Sequence, residues 1–189
     1  DGYFFIFHDD TAERVAGVPL KVDACSWQTL KELTLFNMQG EKDRQDLKIP
    51  LLQEYISICK TYDKIAVLEL KTDFSREDID KIVGIINQYD YLENTIFISF
   101  HLNVLTRIKE KYPNQKCQYL VGEFTDELLK TLINYHLDID IYYPALTKEA
   151  VEKLHKANIK VNCWTVDSKE DANRLISYGV DLITTNILE

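Results

Sequence analysis

The sequence has few of the residues that build disulfide frameworks, zinc sites or nucleic-acid surfaces. Its 189 residues include 4 cysteines, which stand tens of residues apart without a CxxC pair. We therefore expect four buried thiols in a reducing compartment. Acidic residues outnumber basic ones by 31 to 22 and give a net charge of −9. This balance argues against a nucleic-acid partner, because such a partner needs a basic face.

Long hydrophobic runs are lacking as well. No stretch reaches the roughly 18 uninterrupted apolar residues of a membrane-spanning helix, and the start shows no basic region followed by an apolar one, as a signal peptide would. We therefore expect no membrane segment in this chain and a cytoplasmic location.

Apolar residues are plentiful, and their pattern is regular. They make up 46% of the chain, enough for one sizeable core, so residues 1–189 are predicted to form a single domain. Strand-like segments alternate with helical ones, which predicts parallel βα units. Ser26 and Ser75 are predicted to cap helices at their N-termini, and Gly179 to cap one at its C-terminus. The predicted strands are 3–7, 65–71, 95–100, 118–121, 139–143, 160–166 and 180–184.

This alternation predicts an α/β fold, a (β/α)8 TIM-type barrel. Such barrels typically need about 200 to 250 residues or more, and the chain falls short at its beginning, so we expect it to lack the N-terminal strand or strands. An open doubly wound sheet is the alternative. It is less favoured because no glycine-rich nucleotide loop follows any predicted strand.

Polar residues at the carboxyl ends of the predicted strands are the candidates for a site, because catalytic groups of such barrels lie there. His8 follows the apolar run Tyr3–Phe7. Glu69 and Lys71 stand two apart on the second strand and so share a face. They form either a buried ion pair without function or a functional pair, and we favour function because burying charges is costly. Trp164 is either a wall for a ligand or plain packing.

Six segments, in order along the whole chain, resemble the glycerophosphodiester phosphodiesterase family, a group of phospholipase C-like (PLC-like) phosphodiesterases. The first resembles the family's Asp-Gly turn and the strand that ends in His-Asp. The second resembles its Ile-Pro-x-Leu-x-Glu helix start, and the others its Glu-x-Lys, Ser-Phe, Trp-Thr-Val and Gly-Val-Asp-x-Ile-Thr segments. The segments are DGYFFIFHDDTAER at 1–14, IPLLQE at 49–54, LELK at 68–71, ISF at 98–100, CWTV at 163–166 and GVDLITTN at 179–186.

The resemblance implies a TIM-type barrel that is a phosphoric diester hydrolase, converting a small-molecule glycerophosphodiester to sn-glycerol 3-phosphate and an alcohol. It implies a divalent cation, Ca²⁺ or Mg²⁺, with Glu69 as a metal ligand. It also implies that His8 is the general acid/base that protonates the leaving alcohol and that Lys71 neutralises phosphate charge. Trp164 would form an apolar wall on the glycerol side.

The chain departs from the family pattern at its start. The family's first His-Arg-Gly strand, its Asn-Thr helix start and its Glu-x-Asp strand precede the Asp-Gly turn, so we expect that part of the site to be missing here. His136 and His155 lie on helices and His101 follows a strand, and none is expected to replace the missing histidine. Two alternatives remain: a catalytically incomplete remnant that binds a phosphate or a polyol, and a relative that cleaves phosphatidylinositol or sphingomyelin.

Overall fold

Parallel strands form the core of the fold. A computed structural model describes residues 1–187, and in it six strands make one sheet in which each strand pairs in parallel with the next along the chain. The strands are β1 (Ala66–Glu69), β2 (Thr95–Ser99), β3 (Lys116–Val121), β4 (Asp138–Tyr142), β5 (Val161–Trp164) and β6 (Leu182–Ile183).

Helices precede the sheet and connect its strands. Three come before β1, namely α1 (Glu13–Ala16), α2 (Trp27–Leu30) and α3 (Leu52–Thr61). Each later helix links one strand to the next: α4 (Arg76–Asn87), α5 (Leu102–Lys111), α6 (Asp126–Tyr135), α7 (Lys148–Lys156) and α8 (Lys169–Tyr178). None of the helices in residues 1–187 combines the length and the apolar character that crossing a bilayer requires.

The strand order confirms the α/β class with a parallel sheet. It runs β1-β2-β3-β4-β5-β6 without a reversal, as in TIM-type barrels. A doubly wound sheet would reverse its order at a switch point, so that alternative is wrong.

The predicted strand at 3–7 is wrong as a member of this sheet. Phe5 instead forms an isolated antiparallel bridge with Leu51, supported by a 2.9 Å hydrogen bond from the Ile6 N–H to the Pro50 carbonyl. A strand needs a partner that runs beside it for several residues. The 49–52 segment offers only a short one, because α3 begins at Leu52.

The predicted helix caps are confirmed. The Ser75 hydroxyl accepts the Asp78 N–H at 3.1 Å and donates to the Asp78 carboxylate at 2.8 Å. Ser26 accepts the Thr29 N–H, although α2 continues only to Leu30. Gly179 ends α8 with φ at +90°, a left-handed conformation that glycine adopts at little cost.

By its backbone contacts the chain divides into two compact units. The first comprises residues 1–64 and 84–89, and the second comprises 65–83 and 90–189. All six strands lie in the second unit, whereas the segment that carries His8 lies in the first.

The cysteines behave largely as expected. Within the described residues none of the four is in a disulfide, and Cys59, Cys117 and Cys163 are buried, but Cys25 is only partly buried. Burial raises the pKa of both Cys117 and Cys163 to about 12, so these two thiols stay protonated and unreactive at neutral pH.

The buried sheet face gives a test of the fold. Ile141 on β4 is fully buried, whereas Ile133 on α6 is 49% exposed. We expect Ile141→Ala to lower the free energy of unfolding by about 2 to 5 kcal/mol because it leaves a cavity. Urea unfolding followed by circular dichroism measures this loss.

The same substitution at an exposed site is the control. Ile133→Ala is expected to change the free energy of unfolding by less than about 1 kcal/mol. Equal losses at the two positions would contradict the burial that the sheet assigns to Ile141.

Candidate active site

The register of the sheet places two of the predicted site residues, Glu69 and Trp164, on one face. Glu69 pairs with Ile98, which pairs with Gln118, and Tyr142 at the end of β4 pairs with Trp164. Paired residues of parallel strands point to the same side, and alternate residues along a strand share a face. Following these pairs from β1 to β5 shows that Glu69 and Trp164 project from the same face of the sheet.

Glu69 and Lys71 form an ion pair at the end of β1. The Lys71 Nζ lies 3.3 Å from each carboxylate oxygen of Glu69. The side chains remain 23% exposed for Glu69 and 34% exposed for Lys71. The pair therefore exists, but it is not a fully buried one, and both groups can be reached by a small solute.

Asp140 lies on the same face and is buried. It pairs with Asn162 across β4 and β5, and it is only 1% exposed. Its Oδ1 atom has no hydrogen-bond partner among the described residues. Burial, helped by the negative charge of Glu69, raises the pKa of Asp140 to about 7. This carboxyl group is thus uncharged over much of the acidic range.

Aromatic rings line the carboxyl ends of β2, β4 and β5. Trp164 contacts Phe100 edge to face, with ring centroids 5.8 Å apart, and contacts Tyr142 at 5.4 Å. Its indole N–H donates to the Asp140 carbonyl at 3.2 Å. Because Phe100 and Tyr142 remain 51% and 44% exposed, this aromatic cluster of three rings offers an apolar surface to a ligand.

A groove of about 480 Å³ adjoins this cluster. Phe100 belongs to both, and the groove is lined in addition by polar and aromatic side chains of α5 and α6. Aromatic and hydrogen-bonding contacts are therefore available side by side to a small polar molecule. The lining residues are Phe100, His101, Leu102, Asn103, Thr106 and Tyr135.

His8 lies in the first unit, within a charged cluster of its own. Its Nδ1 lies 2.9 Å from the Asp9 carboxylate, and Arg14 donates two hydrogen bonds to the same carboxylate, at 2.6 and 2.9 Å. Arg14, followed by His8, lowers the pKa of Asp9 to about 2. An ionised carboxylate only accepts hydrogen bonds, so the Nδ1 of His8 carries a proton and donates it.

The other histidines have structural contacts. His136 ends α6 in a left-handed conformation, and the Nε2 of His155 lies 2.9 Å from Asp181. The Nε2 of His101 lies 3.2 Å from the Lys71 carbonyl.

Within residues 1–187 no group of three or more His, Cys, Asp or Glu side chains is arranged to hold a metal ion. Glu69 is nevertheless an oxygen ligand of the kind that Mg²⁺ accepts. Mg²⁺ is usually held by one or two carboxylates together with substrate phosphate oxygens and waters, whereas Ca²⁺ takes six to eight oxygen ligands. Glu69 is therefore a residue that could hold such an ion.

Sequence reasoning missed Asp140, Phe100 and Tyr142. A carboxylate inside the apolar stretch DIDIY at 138–142 was the available signal for Asp140. The two rings could not be found in this way, because only the pairing of separate strands brings them to Trp164.

Comparison with known proteins gives a consistent result. The model of the glycerophosphoryl diester phosphodiesterase family matches residues 1–189. A glycerophosphodiester phosphodiesterase of Caldanaerobacter subterraneus is 28% identical over 189 residues, covering 98% of this chain and 77% of that relative.

Solved structures show the same fold. A phosphodiesterase of Oleispira antarctica, solved with the product sn-glycerol-3-phosphate, superposes with a TM-score of 0.87 at 24% identity, covering 97% of this chain and 76% of that one. A glycerophosphodiester phosphodiesterase of Parabacteroides distasonis superposes with a TM-score of 0.78 at 24% identity, covering 96% of this chain and 73% of that one.

The buried Asp140 carboxyl gives a pH-dependent test. Its pKa is about 7 in the folded chain, against about 3.9 for an unfolded aspartate. Between these values the folded chain holds a proton that the unfolded chain has lost, so stability falls as the pH rises. Asp140→Asn removes this dependence. From pH 4 to pH 8 we expect the variant to gain about 2 to 4 kcal/mol in free energy of unfolding relative to the parent.

Urea unfolding at a series of pH values, with a chelator present, measures the difference. Asp126→Asn is the matched control, because Lys153 lowers the pKa of this exposed carboxyl, and the control should show a small change of the opposite sign. Parallel pH curves for the parent and Asp140→Asn would contradict the burial argument.

Proposed function

The chain belongs to the glycerophosphoryl diester phosphodiesterase family, whose members are phosphoric diester hydrolases, and we propose that it hydrolyses glycerophosphodiesters to sn-glycerol 3-phosphate and an alcohol. The observation that carries the proposal is the partly exposed Glu69–Lys71 pair, which lies on the same face of the sheet as the aromatic cluster. Glu69, Lys71, Phe100 and Trp164 lie in segments that resemble the family's motifs. The product bound to the Oleispira antarctica phosphodiesterase supports the same product here.

Lys71 would neutralise the phosphate. A phosphodiester is anionic at neutral pH, and negative charge builds on its oxygens as phosphorus becomes five-coordinate. An ammonium group that is already held beside the site lowers the cost of this charge. The 3.3 Å contacts to Glu69 hold the Lys71 Nζ in place before substrate arrives.

Glu69 would hold a divalent cation, Ca²⁺ or Mg²⁺. When bound, such an ion stabilises negative charge on phosphate oxygens. Glu69 would offset part of the positive charge of the cation and Lys71, and the site would carry a net positive charge to meet the anionic substrate.

His8 would serve as the general acid/base. An alkoxide is a poor leaving group, so the departing alcohol needs a proton from a nearby acid as the phosphorus–oxygen bond breaks. Water supplies the hydroxyl that stays on phosphorus. The Asp9 carboxylate accepts the Nδ1 hydrogen of His8 and stabilises the imidazolium, which leaves the Nε2 proton for the alcohol.

Trp164 would contact the glycerol side of the substrate. Its contacts with Phe100 and Tyr142, and the hydrogen bond from its indole to the Asp140 carbonyl, hold the ring in one orientation. A rigid aromatic face packs against the carbon atoms of glycerol without competing for the phosphate.

Binding without hydrolysis is the second candidate, a phosphate- or polyol-binding protein. The observation that favours it is that residues 1–187 hold no cluster of three metal-ligating side chains.

The single domain over 1–189 and the cytoplasmic location remain predictions from the sequence.

Release of sn-glycerol 3-phosphate from glycerophosphocholine, with Mg²⁺ or Ca²⁺ and with a chelator, tests the proposal. We expect release by the parent chain that the chelator abolishes. His8→Ala should lower kcat about 10²- to 10⁴-fold by removing the proton donor. Lys71→Met should lower it about 10²- to 10³-fold by removing charge stabilisation, and Glu69→Gln should weaken the response to the cation.

Matched controls lie on α6. Glu127 and Lys130 form an exposed ion pair at 3.1 Å, so Glu127→Gln and Lys130→Met change the same groups away from the site and should retain parental activity. Release that survives His8→Ala and Glu69→Gln would overturn the assigned roles. Binding of glycerol 3-phosphate without release would favour the second candidate.

A further inference from the structure

Lys71 stands beyond the last residue of β1, where the strand ladder no longer holds the backbone. The last ladder bond runs from the Leu70 N–H to the Ile98 carbonyl at 2.8 Å. From there the chain turns away from the sheet toward α4, which begins at Arg76. The direction in which the Lys71 side chain leaves the backbone therefore depends on contacts other than strand pairing.

Two side chains from the end of β2 supply such contacts. The Ser99 hydroxyl donates to the Leu70 carbonyl at 2.6 Å and accepts the His101 N–H at 3.0 Å. The Nε2 of His101 lies 3.2 Å from the carbonyl of Lys71 itself. Consecutive carbonyls of the β1 end are thus held from the neighbouring strand.

The rest of the loop is anchored to α5, the helix that follows β2. Asn103 and Arg107 on α5 each donate to one oxygen of Asp73 at 2.6 Å, and Arg107 also donates to the Phe74 carbonyl at 2.6 Å. The loop therefore meets the first two turns of α5 at both of its ends, with His101 at the end nearer Glu69.

We propose that His101 is a positioning residue, which holds the Lys71 backbone so that the Lys71 ammonium stays beside Glu69. A carbonyl oxygen only accepts hydrogen bonds, so the Nε2 of His101 must carry the hydrogen. Together with the Ser99 bond to the Leu70 carbonyl, this contact fixes the peptide planes on both sides of the Lys71 Cα, and hence the direction in which the Lys71 side chain leaves the backbone. The imidazole acts through the backbone and takes no part in proton transfer.

This role of His101 rests on the proposed function, because its kinetic test needs a chain that hydrolyses the substrate. A positioning role differs from that of a general acid/base because it needs no change of protonation. The neutral and the cationic imidazole can both donate a hydrogen bond from Nε2. A glutamine amide reaches about as far as the imidazole Nε2 and also donates. The His101 side chain makes no cap hydrogen bond to α5, whereas its carbonyl accepts the Val104 N–H at 3.0 Å, so replacing the side chain leaves the start of the helix intact.

Steady-state kinetics on glycerophosphocholine test the role. We expect His101→Ala to lower kcat about 10- to 100-fold through misplacement of Lys71, with KM nearly unchanged. His101→Gln should stay within about threefold of the parent and keep the shape of its pH profile. Ser177→Ala is the control, because among the described residues the Ser177 hydroxyl donates only within α8, to the Arg174 carbonyl, and this variant should match the parent.

Two kinetic outcomes would overturn the proposal. Parental kcat in His101→Ala would show that the contact does not matter. A loss in His101→Gln as large as that in His101→Ala, together with a missing limb of the pH profile, would show that His101 transfers protons directly.

Hydrogen exchange of the peptide spanning residues 69–75 decides the question even if the parent chain releases no glycerol 3-phosphate. We expect amide exchange in His101→Ala about tenfold faster, and exchange in His101→Gln close to the parent. Inactivity of the parent would count against the proposed function alone. Unchanged exchange in His101→Ala would count against the positioning role.

Discussion

The parallel register from β1 to β6 is the constraint on which the rest of the structure depends. Each strand pairs with the next over two to four residues, and a slip of one residue in any pair would turn its side chains to the opposite face. With this register the apolar residues of one face, such as Phe97 and Ile141, are buried. The other face receives Glu69, Asp140 and Trp164 together.

Collecting polar groups on one face has an electrostatic cost, and the structure offsets it unevenly. Glu69 is offset by Lys71 at 3.3 Å and by partial exposure. The Oδ1 of Asp140 has no hydrogen-bond partner among the described residues, and burial raises the pKa of this carboxyl to about 7. Below that pH the neutral acid adds no second negative charge to the face that we propose meets an anionic substrate.

The loop after β1 depends on the end of β2 and on α5 for its shape. Hydrogen bonds from Ser99, His101, Asn103 and Arg107 reach four successive parts of that loop. Side chains of the next βα unit therefore organise the end of the preceding one. A residue without contact to substrate can influence the proposed chemistry in this way.

The order of elements could be predicted because hydrophobic periodicity and caps are local properties. The Ser26, Ser75 and Gly179 caps lie where they were predicted, and the spacing of Glu69 and Lys71 was enough to place them on one face. The strand predicted at 3–7 failed because apolar content does not reveal whether a strand finds a partner, and Phe5 finds only an isolated bridge.

The sequence by itself determined the α/β class, the family and the residue types that the chemistry uses. The tertiary structure decided which of these residues meet. Asp140 approaches Glu69, and His101 reaches the Lys71 carbonyl, only because strands far apart in the chain are curled and paired in one register. Such contacts depend on long-range pairing and burial, and neither is a property of a single segment.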